Sequence, residues 1–156
     1  MRGQTLDRID IAILTHLQQD GRTPYTTIAK DLGISEASVR QRVARLVNRK
    51  VIQIVAVSSP LDLGLLWSQV HLRVAGDRLD EVAETVAKLP EVDYVSICAG
   101  SFDIIVGVVS KDREALQDML VNRIRPIPGI ERAEHVLILK VLKDNYEWSP
   151  PDDASA

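Results

Sequence analysis

The segment Thr23–Lys50 constrains the fold more than any other part of this chain. Two short stretches with helical periodicity meet at Leu32-Gly33, and the glycine permits a sharp corner between them. The first helix is predicted over Pro24–Leu32, with Thr23 as its cap and Pro24 at the position where no backbone donor is needed. Ala29, four residues before Gly33, is small enough to let the two helices cross closely. Ser35 caps a second, longer helix over Glu36 to about Lys50. At the helical period, Val39, Val43, Leu46 and Val47 fall on one side. Ser38, Gln41, Arg42, Arg45 and Arg49 fall on the other.

An apolar back with a Ser/Gln/Arg front suits a helix lying in the major groove of DNA. The back packs on a small core, guanidinium forks meet phosphates and guanine edges, and an amide reads adenine. The expected contact set is therefore Ser38, Gln41, Arg42 and Arg45 toward the groove, with Arg40, Arg49 and Lys50 on phosphates and the cap Ser35 among the DNA-binding residues. Replacing Arg42 or Arg45 by Ala is expected to cost about 1–3 kcal/mol if a bidentate base contact is lost. A solvated surface helix with a basic outer face has the same residue pattern; the tight glycine turn is what favours DNA. A further helix precedes this pair, with Leu6, Ile9, Ile13, Leu14 and Leu17 as its stripe. Thr5 is its expected cap, Asp7 and Asp10 suit its positive end, and Asp20-Gly21 ends it.

The charge distribution agrees with that division. The chain of 156 residues carries a formal net charge of −3, which by itself argues against a nucleic-acid partner. Residues 1–50, however, hold nine Lys+Arg against five Asp+Glu, and residues 51–156 hold ten against seventeen. Positive charge is concentrated around the arginine-bearing helix, and phosphate would repel the acidic remainder. The single cysteine, Cys98, has no partner for an internal disulfide and fits a reducing cytoplasm. No secretory signal or membrane-spanning apolar run is apparent, so no membrane partner is expected.

After residue 50 the chain turns β-rich. Val51–Val57 is a strand candidate, and Ser58-Ser59-Pro60 with Gly64 reads as a hinge. From Leu65 onward the pattern repeats itself. Strand Leu66–Val74, helix Asp77–Leu89 and strand Val92–Cys98 are followed by strand Phe102–Val109, helix Asp112–Arg125 and strand Ala133–Leu142. Leu89-Pro90-Glu91-Val92 mirrors Ile127-Pro128-Gly129-Ile130. The order βαββαβ predicts a ferredoxin-like antiparallel sheet with both helices on one face. The fold class is α+β: a helix-turn-helix (winged-helix-like) region over 1–50, a connecting strand and hinge over 51–64, and the ferredoxin-like domain over 65–143. Strands such as Ile104–Val109 and Val136–Leu139 are apolar on both faces, so the uncovered face needs a cover. A second copy related by a two-fold axis is the simplest one.

With these features in place, the chain resembles the leucine-responsive regulatory protein/AsnC (feast/famine) family of transcriptional regulators over about residues 5–143. The resemblance is carried by Leu6-Asp7-Arg8-Ile9-Asp10-Ile11-Ala12-Ile13-Leu14, Leu17-Gln18-Gln19-Asp20-Gly21-Arg22, and Ile28-Ala29 with Leu32-Gly33-Ile34-Ser35. Val39–Leu46, Val51-Ile52 and the turn Ala99–Ile104 complete it. It implies dimers assembling into octameric discs, and an amino-acid effector bound between dimers near Gly100, Ser101, Phe102 and Asp103. Gly100 allows close backbone approach, turn N–H groups suit a carboxylate, and Asp103 suits an α-ammonium group. The same residues also fit a plain hairpin turn capped by Asp103.

Three departures from the family pattern stand out. Lys50 occupies the place where a glycine commonly ends the recognition helix. Ala133, Glu134 and His135 stand where threonines often line the effector pocket, so Glu134 and His135 join the expected effector contacts. His135 also fits a purely structural role at the start of a strand. Residues 144–156 compose an acidic tail expected to be largely disordered, with Tyr146 and Trp148 available to dock on a neighbouring subunit.

No catalytic constellation, metal-ligand spacing or cofactor motif is apparent, and none is expected. His16, His71 and His135 are widely separated, and Cys98 reads as a small core residue. The enzyme alternative is a sirohaem-type tetrapyrrole decarboxylase, which resembles the same two-domain fold and would recruit His71 or His135. A ligand-sensing assembly module without DNA binding is the third reading.

Overall fold

The computed structural model describes residues 6–144, which divide into two compact units, one holding the chain up to Val57 together with Lys143 and Asp144, the other Ser58–Leu142. The N-terminal unit contains α1 (Arg8–Gln19), α2 (Tyr25–Leu32) and α3 (Glu36–Asn48). Ile13, Leu17, Ile28, Ala29, Val39 and Val43 form its buried core, flanked by Ile9, Tyr25, Leu32, Ile34 and Ile52. Gly33 adopts the left-handed conformation (φ 65°) that ends α2, and Ile34 N–H reaches back to Ala29 C=O at 3.0 Å.

Four local expectations are corrected here. The cap of α1 is Asp7, while Thr5 lies outside the described residues. Pro24 is the N-cap of α2 rather than its first residue, and the Thr23 hydroxyl donates to Asp20 C=O at 2.7 Å. Val47, assigned to the apolar stripe, is 43% exposed, because the buried face of α3 is only as wide as Val39, Val43 and Leu46. Val51–Val57 forms no strand: it runs without a ladder partner, and Ile54, Val55 and Val57 are exposed.

The C-terminal unit is β1 (Leu66–Val74), α4 (Leu79–Val86), β2 (Val92–Ile97), β3 (Ile104–Ser110), α5 (Arg113–Asp118) and β4 (Ile130–Leu137). All pairings are antiparallel in the order β2-β3-β1-β4, the ferredoxin-like arrangement. The second helix leaves α-geometry at its midpoint and continues as a π-helical turn, Met119–Ile124. Val70, Leu72, Val74, Ile104, Val106 and Val108 pack on Val82, Val86, Leu116, Met119 and Ile124 from the helices. By alternation, the opposite face of the sheet carries Trp67, Gln69, His71 and Arg73 from β1, and Ile105, Gly107 and Val109 from β3. That face is mixed rather than wholly apolar. The last strand also lies earlier than Ala133–Leu142. β1 begins at Leu66, so after Ile138 N–H donates to Trp67 C=O (2.9 Å) the chain has no strand beside it. Leu139 and Leu142 are consequently exposed.

Candidate DNA interface and effector turn

Recognition helix α3 begins at Ser35, whose Oγ accepts from Ser38 N–H at 3.2 Å. Ser35 is thus a cap, and Ser38 is half-buried beside it. The outward face carries Ala37, Gln41, Ala44 and Asn48, all exposed. Gln41 makes no hydrogen bond among the described residues, which leaves both ends of its amide free. Arg40 is exposed, pairs with Glu36 one turn earlier, and lies 5.5 Å from the Tyr25 ring centroid. Arg49 and Lys50 are exposed at the helix exit. Lys50 takes a left-handed conformation (φ 57°), and Val51 N–H closes on Leu46 C=O at 2.9 Å. The exit therefore keeps the geometry a glycine would give, with a lysine in the strained position.

The two arginines expected to lead into the groove behave differently. Arg42 Nη1 donates to Asp7 Oδ2 at 2.6 Å and to Asp10 Oδ1 at 2.8 Å. Arg45 Nη2 donates to both Asp10 oxygens at 2.7 Å. The expectation that both guanidiniums point freely outward is corrected. They turn along the flank of α3 toward the start of α1. Asp10 is only 2% exposed, and these bonds compensate its buried charge. Asp7 and Asp10 also form a reciprocal capping box, with Asp10 N–H donating to Asp7 Oδ1 at 2.8 Å. The Arg42 guanidinium beside Asp7 holds its carboxyl below the usual carboxylate range, and the bonds to Asp7 and Asp10 raise Arg42 in turn. Helix-dipole reasoning found the two aspartates but not their partners. The only signal in the sequence was an i,i+3 acid pair in one helix and an i,i+3 arginine pair in another.

In the C-terminal unit the turn at 99–103 is tightly built. Gly100 has a φ of 152° that favours glycine. Asp103 Oδ2 accepts from Val74 N–H at 2.9 Å, and Arg73 Nη1 donates to Asp103 Oδ1 at 3.3 Å. The same Arg73 nitrogen meets the carbonyls of Gly100 (3.3 Å) and Ser101 (3.4 Å). Phe102 lies against His71, with ring centroids 5.1 Å apart. Asp103 thus ties β3 to β1 rather than standing free for an ammonium group. The N–H groups of Gly100, Ser101 and Phe102 have no acceptor among the described residues. Arg73 is the residue missed at this turn, because its reach to 100–103 depends on strand pairing, not on sequence proximity.

Glu134 and His135 do not line one surface. Glu134 pairs across from His71 on the helix-free face and forms an ion pair with Arg132. His135 pairs across from Val70 on the helix-covered face, where its Nε2 lies 3.0 Å from Ser68 Oγ. Successive strand residues point to opposite sides, so the expectation of a joint Glu134/His135 contact is corrected. The alternation likewise puts His71 and His135, either of which the tetrapyrrole reading would recruit, on opposite faces. Among the described residues no His/Cys/Asp/Glu cluster could hold a metal ion, and no helix is long and apolar enough to cross a membrane.

A three-helix unit with a glycine turn and an exposed second helix, joined to a four-stranded α+β unit, defines a helix-turn-helix DNA-binding regulator with a ligand-binding domain. Comparison with known proteins gives the family. Residues 6–47 match the AsnC-type helix-turn-helix domain, and residues 68–148 match the Lrp/AsnC ligand binding domain. The chain belongs to the Lrp/AsnC family of transcriptional regulators. It is 34% identical over 149 residues to the HTH-type transcriptional regulator FL11 of Pyrococcus furiosus, covering 94% of this chain and 97% of that one. It is 35% identical over 142 residues to LrpA of Pyrococcus abyssi, covering 88% of this chain and 99% of the relative. Among solved structures, the leucine response regulatory protein LrpA of Mycobacterium tuberculosis superposes with a TM-score of 0.81 at 28% identity, covering 93% and 100% of the two chains. A transcriptional regulator from Neisseria meningitidis, solved as an L-Met complex, superposes at 0.77 with 25% identity, covering 94% and 96%.

Proposed function

We propose that α3 reads its DNA site through the face centred on Gln41, with Arg40, Arg49 and Lys50 on phosphates, and that Arg42 and Arg45 brace the helix from α1. The observation that carries this reading is the free Gln41 amide on the exposed face, beside two arginines already spent on Asp7 and Asp10. Ser35 and Ser38 serve the helix start. The unit works in pairs. Trp67, Ile105 and Val109 are half-buried on the helix-free sheet face, and Tyr94 and Val136 are exposed there. A two-fold copy that covers this face would present two recognition helices to successive major grooves. Dimers assemble further toward the octamers that the family resemblance implies. Light scattering at micromolar concentration tests the pairing: a dimer or larger is expected, and a monomer rejects it.

The effector is an amino acid held at the 100–103 turn, with its carboxylate on the free N–H groups of Gly100, Ser101 and Phe102 and on Arg73. The L-Met complex of the Neisseria relative supports this ligand class. The protein is a regulator and not an enzyme, acting in a reducing cytoplasm. A thermal-shift screen of the twenty amino acids tests the effector, since a ligand preferring the folded assembly raises its melting temperature. A hit that disappears in Arg73→Ala supports the site; twenty flat responses reject an amino-acid effector.

A further inference from the structure

The carboxylates beside α3 differ in a way that bears on specificity. Asp10 is buried, and guanidinium bonds occupy both of its oxygens. Asp7 is half-exposed, and its Oδ2 takes only Arg42. Capping does not explain its charge, because asparagine caps a helix as well as aspartate. We propose that Asp7 is an internal counter-anion that keeps Arg42 off the DNA backbone, which makes it a specificity-determining residue of the DNA-binding unit. The inference rests on the reading of α3 as the DNA-reading helix.

Two anions, the Asp7 carboxylate and a DNA phosphate, compete for Arg42. A phosphate oxygen can accept from the Arg42 guanidinium as Asp7 Oδ2 does. An exposed carboxylate–guanidinium pair is weak, so a phosphate displaces it if nothing else opposes the exchange. Here Asp7 opposes it, because its charge stays beside the arginine and repels the incoming phosphate. Arg42 therefore adds little to sequence-independent binding, which comes from phosphate contacts and counterion release. Suppressing that component raises the ratio of specific to non-specific affinity, the quantity that matters among many competing sites. Nη1 of Arg42 keeps its second bond, to Asp10, so losing Asp7 frees one N–H of that nitrogen and removes a negative charge without unseating the helix.

Asp7→Asn tests this, with anisotropy measured on a random-sequence duplex and on a selected site across a salt series. Non-specific affinity is expected to rise about three- to tenfold near 0.1 M salt. The log–log salt slope is expected to steepen by up to about 0.9, the value for one added phosphate contact. The specific-to-non-specific ratio falls. The double variant Asp7→Asn/Arg42→Ala loses the gain. Asp31→Asn, which removes another half-exposed acid of the same unit, shows no gain. Asp7→Ser repeats the experiment with a different capping residue if Asn disturbs the fold. An unchanged slope in a folded variant overturns the role of Asp7, and so does a gain that survives loss of Arg42 or recurs in Asp31→Asn. A wild-type chain that retains no duplex at low salt overturns the reading of α3 as well.

Discussion

The two units solve the problem of covering themselves in different ways. The helical unit satisfies itself internally. Its apolar residues meet in one core, and its buried acid, Asp10, draws two of the arginines that helical periodicity puts opposite the apolar stripe. The sheet unit is finished on one face only. Two helices cover Val70, Leu72, Val106 and Val108, while Trp67, Ile105 and Val109 on the other face are only half-buried and face no helix of the sheet unit among the described residues. A basic residue is therefore available to a partner only where no nearby acid has claimed it, and an apolar strand face is stable only where another element covers it. The first unit belongs to a helix-turn-helix DNA-binding domain. The second is the unit for which a two-fold copy is proposed.

This contrast can be broken most severely at Asp10. Asp10→Ala removes the capping box and leaves two guanidiniums without their shared acceptor. It is expected to cost about 2–3 kcal/mol, less than a fully buried pair because Arg42 and Arg45 remain partly solvated. Urea unfolding of the N-terminal transition measures this. A change within a few tenths would mean that the cluster is ornamental. Lys50→Gly acts in the opposite direction. It relieves the left-handed backbone and is expected to stabilise the helical unit by about 0.5–1 kcal/mol. It also removes a cation, so the DNA salt slope is expected to shallow if Lys50 meets a phosphate. Stability and slope moving together in this variant would separate the two roles of one residue.

The smallest effect belongs to the sheet unit. Partial desolvation of the ring beside Ser68, in a residue otherwise exposed, lowers the His135 pKa below the ordinary histidine value. The unfolded chain therefore takes up its proton first. Stability is full above about pH 6.5 and declines as pH falls from there through the folded pKa. Replacing His135 by Gln is expected to flatten melting temperature against pH in that window, and an unchanged profile would assign the acid sensitivity to another group.

What the sequence disclosed and what it hid divide along the same physical line. Periodicity located all three helices of the first unit, because Ile13, Ile28, Val39 and Val43 repeat at helical spacing and are buried. The strand Leu66–Val74 was legible residue for residue. The link from Asp7 and Asp10 to Arg42 and Arg45 was not, because it crosses 32 to 35 positions of chain and depends on how α1 crosses α3. The Arg73 clasp on the 100–103 turn was hidden for the same reason. Val51–Val57 misled because its β-branched run has strand propensity but finds no partner strand among the described residues. The opposite facing of Glu134 and His135 could have been read in advance from the two-residue period of a strand.

In the proposed reading, DNA sequence is read by the Gln41 face of α3 while Asp7 and Asp10 hold Arg42 and Arg45. The most direct measurement is the affinity of Gln41→Ala for a site selected from random duplexes, compared with its affinity for random DNA. A loss worth about 1–3 kcal/mol on the selected site, with non-specific binding unchanged, is the expected result. Wild-type discrimination in a folded Gln41→Ala protein would contradict the account and move the reading face elsewhere.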